Sequence, residues 1–161
     1  MLILGSLCGR TWVHICVTCL ALATVGIGCE SRGAEGVDRR KFAQAIERGN
    51  VGAVQEMLNK GENPNETLRP FSALVLAVHY HRVAVLRLLL RAKADPNASG
   101  TTKGDVTPLI HSAVVDCSEC ATVLIENGAV VDKRDGNGET AWDVARRLGH
   151  RDMLGVLGPK R

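Results

Sequence analysis

The stretch Leu90-Arg91-Ala92-Lys93-Ala94-Asp95-Pro96-Asn97 ends a helix-like segment and runs directly into a short polar loop. Similar joints occur at residues 58–65 and 125–132. A bulky apolar residue opens each of the repeated segments, and a small residue follows it three positions later. The bulky residues are Phe42, Leu74, Leu109 and Trp142, spaced 32, 35 and 33 residues apart, and the small ones are Ala45, Ala77, Ser112 and Ala145. A period in this range predicts a solenoid of stacked repeats, which is usually a binding surface.

The composition is typical of one soluble repeat domain. The chain has 161 residues, and the repeats fill residues 37–161. Aromatic residues make up only 3% of the chain, so we expect an aliphatic, alanine-rich core. The formal net charge is +3 at pH 7, and the sequence lacks the basic stripe with interleaved aromatic residues that marks a nucleic-acid-binding protein. We therefore expect a monomer with no nucleic-acid partner.

The N-terminal segment has the organisation of an export signal. Arg10 precedes an uncharged stretch at residues 11–28 that ends in small residues. Ile27-Gly28-Cys29 resembles the lipobox of bacterial lipoproteins, in which the cysteine becomes the lipidated first residue of the mature protein. The resemblance implies a signal peptide at residues 1–28, lipidation of Cys29 and a flexible tether at residues 29–36. A plain cleaved signal and an uncleaved membrane anchor are alternatives. All three predict repeats in the cell envelope, on the extracytoplasmic side of the membrane.

Two motifs in the second half of the chain are helix starts. Thr107-Pro108-Leu109 combines a Thr that can cap free backbone N–H groups with a Pro that suits the first helical turn. Asp135-Gly136-Asn137-Gly138 is a turn that precedes a second Thr cap at Thr140. These motifs, together with the recurring polar exits, resemble the ankyrin repeat over residues 38–157. The resemblance implies an all-α solenoid of about four helix-turn-helix repeats with turn tips, near residues 37–66, 67–101, 102–134 and 135–161.

The sequence pattern predicts two helices in each repeat. The predicted spans are residues 38–48 and 51–59, 72–80 and 83–91, 108–115 and 118–126, and 141–148 and 150–157. His81 and Asp116 stand where the family has Gly between the paired helices, and Lys93 replaces Gly at a helix end, so we expect left-handed backbone at these positions.

In ankyrin arrays the partner contacts the turn tips and the concave side of the first helices. The resemblance therefore implies a protein-binding face, and Tyr and Arg on it are types that dominate interface hot spots. Phe71 and the valines could instead pack against neighbouring repeats, whereas Tyr80 should be exposed. The predicted partner-binding residues are Arg69, Phe71, His79, Tyr80, Lys103, Val106, Glu139 and Arg147, with Arg39, Glu47, Arg48, Leu68, Val114, Val115 and Leu148 at matching positions.

Cys117-Ser118-Glu119-Cys120 is the motif that most resembles a catalytic one. Two thiols at a helix start can have a lowered pKa, and the alternative function is an envelope thiol redox protein that uses Cys117 and Cys120. We favour a core cysteine beside an incidental one, and a structural disulfide is a further alternative outside the cytoplasm. His111 with these two cysteines lacks a fourth zinc ligand, and His79 and His81 are expected to point apart. The prediction is a binding module without catalysis, cofactor or metal.

Overall fold

The structure is a computed structural model that describes residues 39–100 and 105–159. The signal-like segment, Cys29 with the tether, and Lys103 lie outside these residues. Each predicted helix is found within two residues of its expected ends, which confirms the all-α solenoid. The helices of the described residues are α1 (Arg39–Arg48), α2 (Val51–Asn59), α3 (Ala73–His79), α4 (Val83–Arg91), α5 (Pro108–Val114), α6 (Ser118–Glu126), α7 (Ala141–Leu148) and α8 (Arg151–Leu157). None of them is both long enough and apolar enough to cross a bilayer.

The helices stack in two rows. The first row contains α1, α3, α5 and α7, and each of these helices packs against the next one in that order. The second row contains α2, α4, α6 and α8, which pack in the same way. Within each repeat the two helices also contact each other, so the core-facing sides of the helices are covered by the paired helix and by neighbouring repeats.

The core is aliphatic, as the composition predicts. Of the four residues that open the repeats, Phe42, Leu74 and Leu109 are buried, whereas Trp142 in the last repeat is half-buried. The four small residues that follow them are all buried. Ser112 fills its place by donating a hydrogen bond from its hydroxyl to Leu109 O at 2.6 Å. Small side chains at this position let successive first-row helices approach closely.

Side-chain caps fix where three of the first-row helices begin. Ser72 Oγ accepts from Val75 N at 3.3 Å, and Thr107 Oγ1 accepts from Ile110 N at 3.2 Å. Thr140 caps α7 reciprocally, because Asp143 Oδ2 accepts from the Thr140 backbone N–H while Thr140 Oγ1 accepts from Asp143 N. These contacts satisfy backbone N–H groups that lack partners within the helix.

The turns between paired helices have the expected left-handed backbone. His81 and Asp116 have φ values of 54° and 55°, and Lys93 has a φ of 70° at the end of α4. The Gly residues at the corresponding turns, Gly49 and Gly149, have φ values of 71° and 78°. Non-glycine residues therefore adopt a conformation that glycine enters at lower cost.

The residue that precedes each second-row helix has one of two roles. Asn50 caps its own helix by accepting from Ala53 N, and Cys117 Sγ accepts from Cys120 N. Arg82 instead donates from Nε to Glu47 O in the preceding repeat at 2.8 Å. His150 Nδ1 lies 2.9 Å from Ala113 O in the preceding repeat, and it must donate because a carbonyl can only accept. Two of the four positions thus connect one repeat to the next.

Asparagines join the exits of consecutive repeats. Asn65 Oδ1 accepts from Asp95 N at 2.8 Å, which links the first exit to the second. Asn97 Oδ1 accepts from Val130 N at 2.8 Å, and its Nδ2 donates to Gly128 O at 2.9 Å. The polar loops that the sequence shows after each helix pair are therefore part of the stacking.

The tip before α5 rests on the start of α3 through Gly100. Ser72 N donates to Gly100 O at 2.7 Å, and Gly100 N donates to Val106 O at 2.9 Å. A Cβ added at Gly100 would overlap Cγ2 of Val75, so the close approach requires glycine.

Candidate protein-binding face

The C-terminal ends of the first-row helices carry side chains in register. Moving along the chain by one repeat step relates His79 to Val114 and Arg147, and Tyr80 to Val115 and Leu148. The same steps relate Phe71 to Val106 and Glu139 just before the helices. The predicted partner-binding residues of the described chain therefore lie at equivalent positions of successive repeats, with Arg69 two residues before Phe71.

Three apolar side chains at these helix ends are exposed. The exposed fraction is 40% for Tyr80, 46% for Val114 and 43% for Leu148. Val106 and Val115 are half-buried and pack against the core, which was the alternative considered for them. The exposure of Tyr80 agrees with the expectation from its helix. Val114 is not covered by a neighbouring repeat, so it belongs to the exposed apolar surface.

Phe71, His79, Tyr80 and His111 form a cluster of rings that spans the second and third repeats. The Phe71 ring centroid lies 5.1 Å from those of both His79 and His111. Tyr80 meets His79 edge-on at 5.1 Å. His79 Nδ1 and His111 Nε2 are 3.2 Å apart, so one imidazole donates a hydrogen bond to the other. Phe71 is half-buried by these contacts and is both a packing residue and part of the face.

His111 is a member of the cluster that the sequence analysis did not place there. It was grouped with Cys117 and Cys120, whereas its ring contact is with His79. Burial, and next the charge that His79 can carry, lower the pKa of His111 from 6.5 to about 4. His111 is therefore neutral at pH 7. The repeat step makes Val114 the equivalent of His79, and His111 lies three residues before Val114, about one helical turn earlier on α5.

Charged residues occupy the two ends of the face. In the fourth repeat Arg147 pairs with Glu139 through two contacts, Nε to Oε1 at 3.1 Å and Nη2 to Oε2 at 3.0 Å. The hydrogen bond to Glu139 and its charge raise the pKa of Arg147. In the first repeat Arg39 pairs with Glu66 at 2.9 Å. Glu139 and Arg147, the two predicted partner-binding residues of the fourth repeat, therefore pair with each other.

Arg69 is exposed at the tip between the first two repeats. It lines a groove of about 240 Å³ whose walls include Arg39, Arg40 and Leu68. Ala43 and Thr67 complete its lining, which is therefore part basic and part apolar, and Arg69 lies two residues before Phe71. It extends the face toward the first repeat, where the sequence analysis also placed Arg39 and Leu68.

A second concave feature lies at the other end of the array. A cavity of about 400 Å³ is lined by side chains of α6, α7 and α8 and by the preceding exit, including Ile125, Val131, Trp142 and Leu157. Arg146 lies over the Trp142 ring at 5.5 Å. This cavity was not predicted from the sequence, because its lining comes from both the third and the fourth repeat and depends on how they pack together.

Cys117 and Cys120 are joined by a disulfide, which was one of the alternatives considered for them. Their exposed fractions are 5% and 0%. Thiol–disulfide exchange requires an attacking thiolate to reach a sulfur atom. Because both sulfur atoms lie in the core, the geometry favours a structural crosslink over a redox site.

Comparison with known proteins decides the family. The family model described as ankyrin repeats, in three copies, matches residues 42–135, which is more than half of the chain. The chain belongs to the ankyrin repeat family. The match covers the first three repeats, which include the asparagine contacts between exits.

Relatives of this ankyrin repeat protein differ greatly in size. It is 32% identical to human cyclin-dependent kinase 4 inhibitor B over 117 residues, 72% of this chain and 83% of that protein. It is 36% identical over 105 residues to a glycerophosphocholine phosphodiesterase of Schizosaccharomyces pombe, and these are 65% of this chain but only 9% of that enzyme. A potassium channel of Oryza sativa is 39% identical over 79 residues, 48% of this chain and 8% of the channel. The shared part in the two large proteins is a small fraction of their length.

Proposed function

We propose that the protein is an exported, lipid-anchored and non-catalytic module that binds a protein partner through its turn tips and the concave side of its first-row helices. The observation that carries the proposal is the exposure of Tyr80, Val114 and Leu148 at the ends of three successive first-row helices. Apolar side chains exposed together, with polar residues around them, are characteristic of interaction sites. The ring cluster of Phe71, His79, Tyr80 and His111 gives this area a centre of packed rings.

The distribution of residue types supports a protein partner. Most apolar and aromatic side chains of the face lie in the second and third repeats, with Leu148 in the fourth, while the charged residues Arg39, Glu139 and Arg147 lie in the end repeats and Arg69 lies near the start of the second. Protein–protein interfaces have this anatomy, with an apolar centre depleted of charge and a polar rim. Tyr80 and Arg69 are of the types that most often contribute binding free energy.

The relatives support the same class of function. The name of the human relative records inhibition of a kinase, which is an action on another protein. In the phosphodiesterase and the channel the matched part is under a tenth of the chain, so the activities in their names are not transferred. We therefore propose a protein partner for this chain and no catalytic step.

Site-specific crosslinking tests the face. A photoreactive amino acid is placed at Tyr80 or Val114 in the full chain, and crosslinking is carried out in the native envelope. The matched control is Val51 on α2, which is equally exposed at 39% but lies in the second row. We expect one protein to crosslink from Tyr80 and Val114 and to be absent from the Val51 sample. Equal crosslinking from all three positions, or from none, would contradict the proposed face.

The anchor is proposed on the basis of Ile27-Gly28-Cys29 after an uncharged apolar stretch. Intact-mass measurement of the protein extracted from membranes is the test. We expect a mature chain that begins at Cys29 and carries acyl groups, and we expect a Cys29→Ser variant to lose them. An unmodified shortened chain would indicate a plain cleaved signal, and a chain that retains Met1 would indicate an uncleaved anchor.

A further inference from the structure

Two imidazoles from successive repeats meet nitrogen to nitrogen on the binding face. His79 lies at the end of α3 and His111 in the middle of α5, and their Nδ1 and Nε2 atoms are 3.2 Å apart. Their ring centroids are 5.4 Å apart, so the rings meet nearly head-on. His79 is exposed, whereas His111 is only 8% exposed. The pair therefore has one ring open to solvent and one held in the core.

The distance between the two nitrogens matches a metal chelate. Imidazole nitrogen binds Zn²⁺ at about 2.0–2.1 Å and is also a good ligand for Ni²⁺ and Cu²⁺. Two such nitrogens on one ion lie about 2.9–3.4 Å apart for bond angles between a right angle and the tetrahedral angle. The observed 3.2 Å is inside this interval. Because the rings meet nearly head-on, both imidazoles must tilt, the exposed His79 more than the buried His111, before their lone pairs converge on one ion.

We propose that His79 Nδ1 and His111 Nε2 form a two-imidazole chelate for a divalent transition-metal ion such as Zn²⁺, Ni²⁺ or Cu²⁺, which connects the second repeat to the third. Over residues 39–100 and 105–159, His, Cys, Asp and Glu side chains form no group of three or more that could hold an ion. Water molecules therefore complete the coordination. This inference is independent of the proposed function, because the chelate needs no partner.

The surrounding rings hold the two ligands in place. Phe71 contacts both imidazoles at 5.1 Å, and Tyr80 contacts His79 at the same distance. Packing that fixes the orientation of ligands lowers the cost of assembling a metal site. The ion lies to one side of the line between the two nitrogens and replaces the hydrogen bond that they share. His79 then carries its hydrogen on Nε2 and His111 carries its own on Nδ1, so two neutral imidazoles bind without net proton release.

The test uses the full chain with Zn²⁺ or Ni²⁺ alone as the probe and Mg²⁺, which prefers oxygen ligands, as the control ion. The variant is His79→Ala, which changes an exposed side chain. The matched control is His81→Asn, which removes an exposed imidazole two residues away at a left-handed position that Asn tolerates. The other residues that could bind the ion, including the cysteines, are the same in every sample, so differences between samples report on the pair.

We expect Zn²⁺ and Ni²⁺ to raise the Tm of the wild type and of His81→Asn, since an ion that binds only the folded state stabilises it. For His79→Ala the apparent affinity should be weaker by at least about tenfold, and the shift in Tm should be lost at the same ion concentration. In the wild type, the ¹⁵N signals of His79 Nδ1 and His111 Nε2 should move together on addition of Zn²⁺.

Several results would overturn the proposal. One is a dependence of Tm on Zn²⁺ that is the same in wild type and His79→Ala. Another is movement of the His81 or His150 signals while those of His79 and His111 stay unchanged. A third is no effect of either ion at millimolar concentration, which would leave the pair as a hydrogen-bonded contact only. A His111→Gln variant that folds should lose the response as His79→Ala does.

Discussion

At the scale of single residues, His111 has a titration behaviour that follows from its burial. Its pKa is lowered to about 4 in the folded protein, whereas an unfolded chain has the ordinary value of 6.5. Between these values the unfolded state binds more protons, so the free energy of unfolding falls as the pH drops from 6.5 to 4. Above pH 6.5 the group adds no pH dependence, and below pH 4 its destabilising effect is complete.

We therefore expect a difference in pH dependence between the wild type and His111→Gln. The metal-free wild type should lose about 1–3 kcal/mol of unfolding free energy between pH 7 and pH 4.5 through this residue. His111→Gln should lack that contribution, although it starts less stable at pH 7. Urea unfolding at the two pH values gives the comparison. Equal losses in both proteins would show that His111 is not the responsible group.

Substitution by alanine should have opposite effects on the unfolding free energy at two glycines, Gly100 and Gly155. A Cβ at Gly100 overlaps Val75 Cγ2, so Gly100→Ala must displace the tip from α3. We expect a cost of about 1–3 kcal/mol, as for other overpacked sites. Gly155 lies within α8 with open space around its Cα, and Gly155→Ala should stabilise by about 0.5–1 kcal/mol. Chemical denaturation of the two variants measures both effects, and a loss in Gly155→Ala would contradict this account of α8.

The exposure of a side chain could be predicted where it depends only on the position of the residue around its own helix. The exposure of Tyr80 followed from the inward position of Ala77 on the same helix. The contact between His79 and His111 did not follow, because it depends on the rotation of one repeat relative to the next. Phe71 was predicted to lie on the face, and its half-burial against two imidazoles became evident only with the third repeat in position.

At the scale of elements, the disulfide between Cys117 and Cys120 joins two residues of one helix start. The two cysteines are three positions apart, so the crosslink closes a very short loop and joins no two repeats. A short loop restricts the unfolded chain little. We expect reduction to lower the unfolding free energy by about 2 kcal/mol or less and to leave the helix content unchanged. Circular dichroism with and without reductant tests this, and loss of the helical signal would contradict it.

The ends of the helices were predictable because local chemistry sets them. Thr107 with Pro108 starts α5, and Thr140 starts α7, as their residue types indicate. The bonds from Arg82 and His150 to the preceding repeat were not predictable. They depend on where the carbonyl at the end of a neighbouring helix lies, and that is determined by the packing of two repeats.

At the scale of the whole molecule, the repeats depend on each other for burial. Leu109 is 1% exposed in the third repeat, where α5 packs against α3 on one side and α7 on the other. Leu109→Ala should cost about 2–5 kcal/mol. Since no repeat buries its apolar face alone, we expect a single unfolding transition at a lower midpoint. The exposed control Val130→Ala should change stability by less than about 0.5 kcal/mol. An unchanged midpoint for Leu109→Ala would contradict the packing.

The fold was predictable at this scale because a period near 33 residues constrains every repeat in the same way. The proposed binding face could be defined from the sequence only as a region, since the family indicates which positions point outward and not which partner they contact. What is particular to this chain is the set of side chains at those outward positions, such as Tyr80, Val114 and Leu148.

The bonds that Arg82 and His150 make to the preceding repeat have a consequence for how the chain could be rearranged. The four equivalent positions hold Asn50, Arg82, Cys117 and His150, and only Arg82 and His150 reach a neighbour. If the second and third repeats were exchanged, Cys117 would face the carbonyl of Glu47 with a sulfur that has no hydrogen to donate. The modules of this array are thus not interchangeable, and their linear order is specified by the chain itself. A chain with duplicated or exchanged repeats would need new hydrogen bonds between repeats at these positions to regain the same stability.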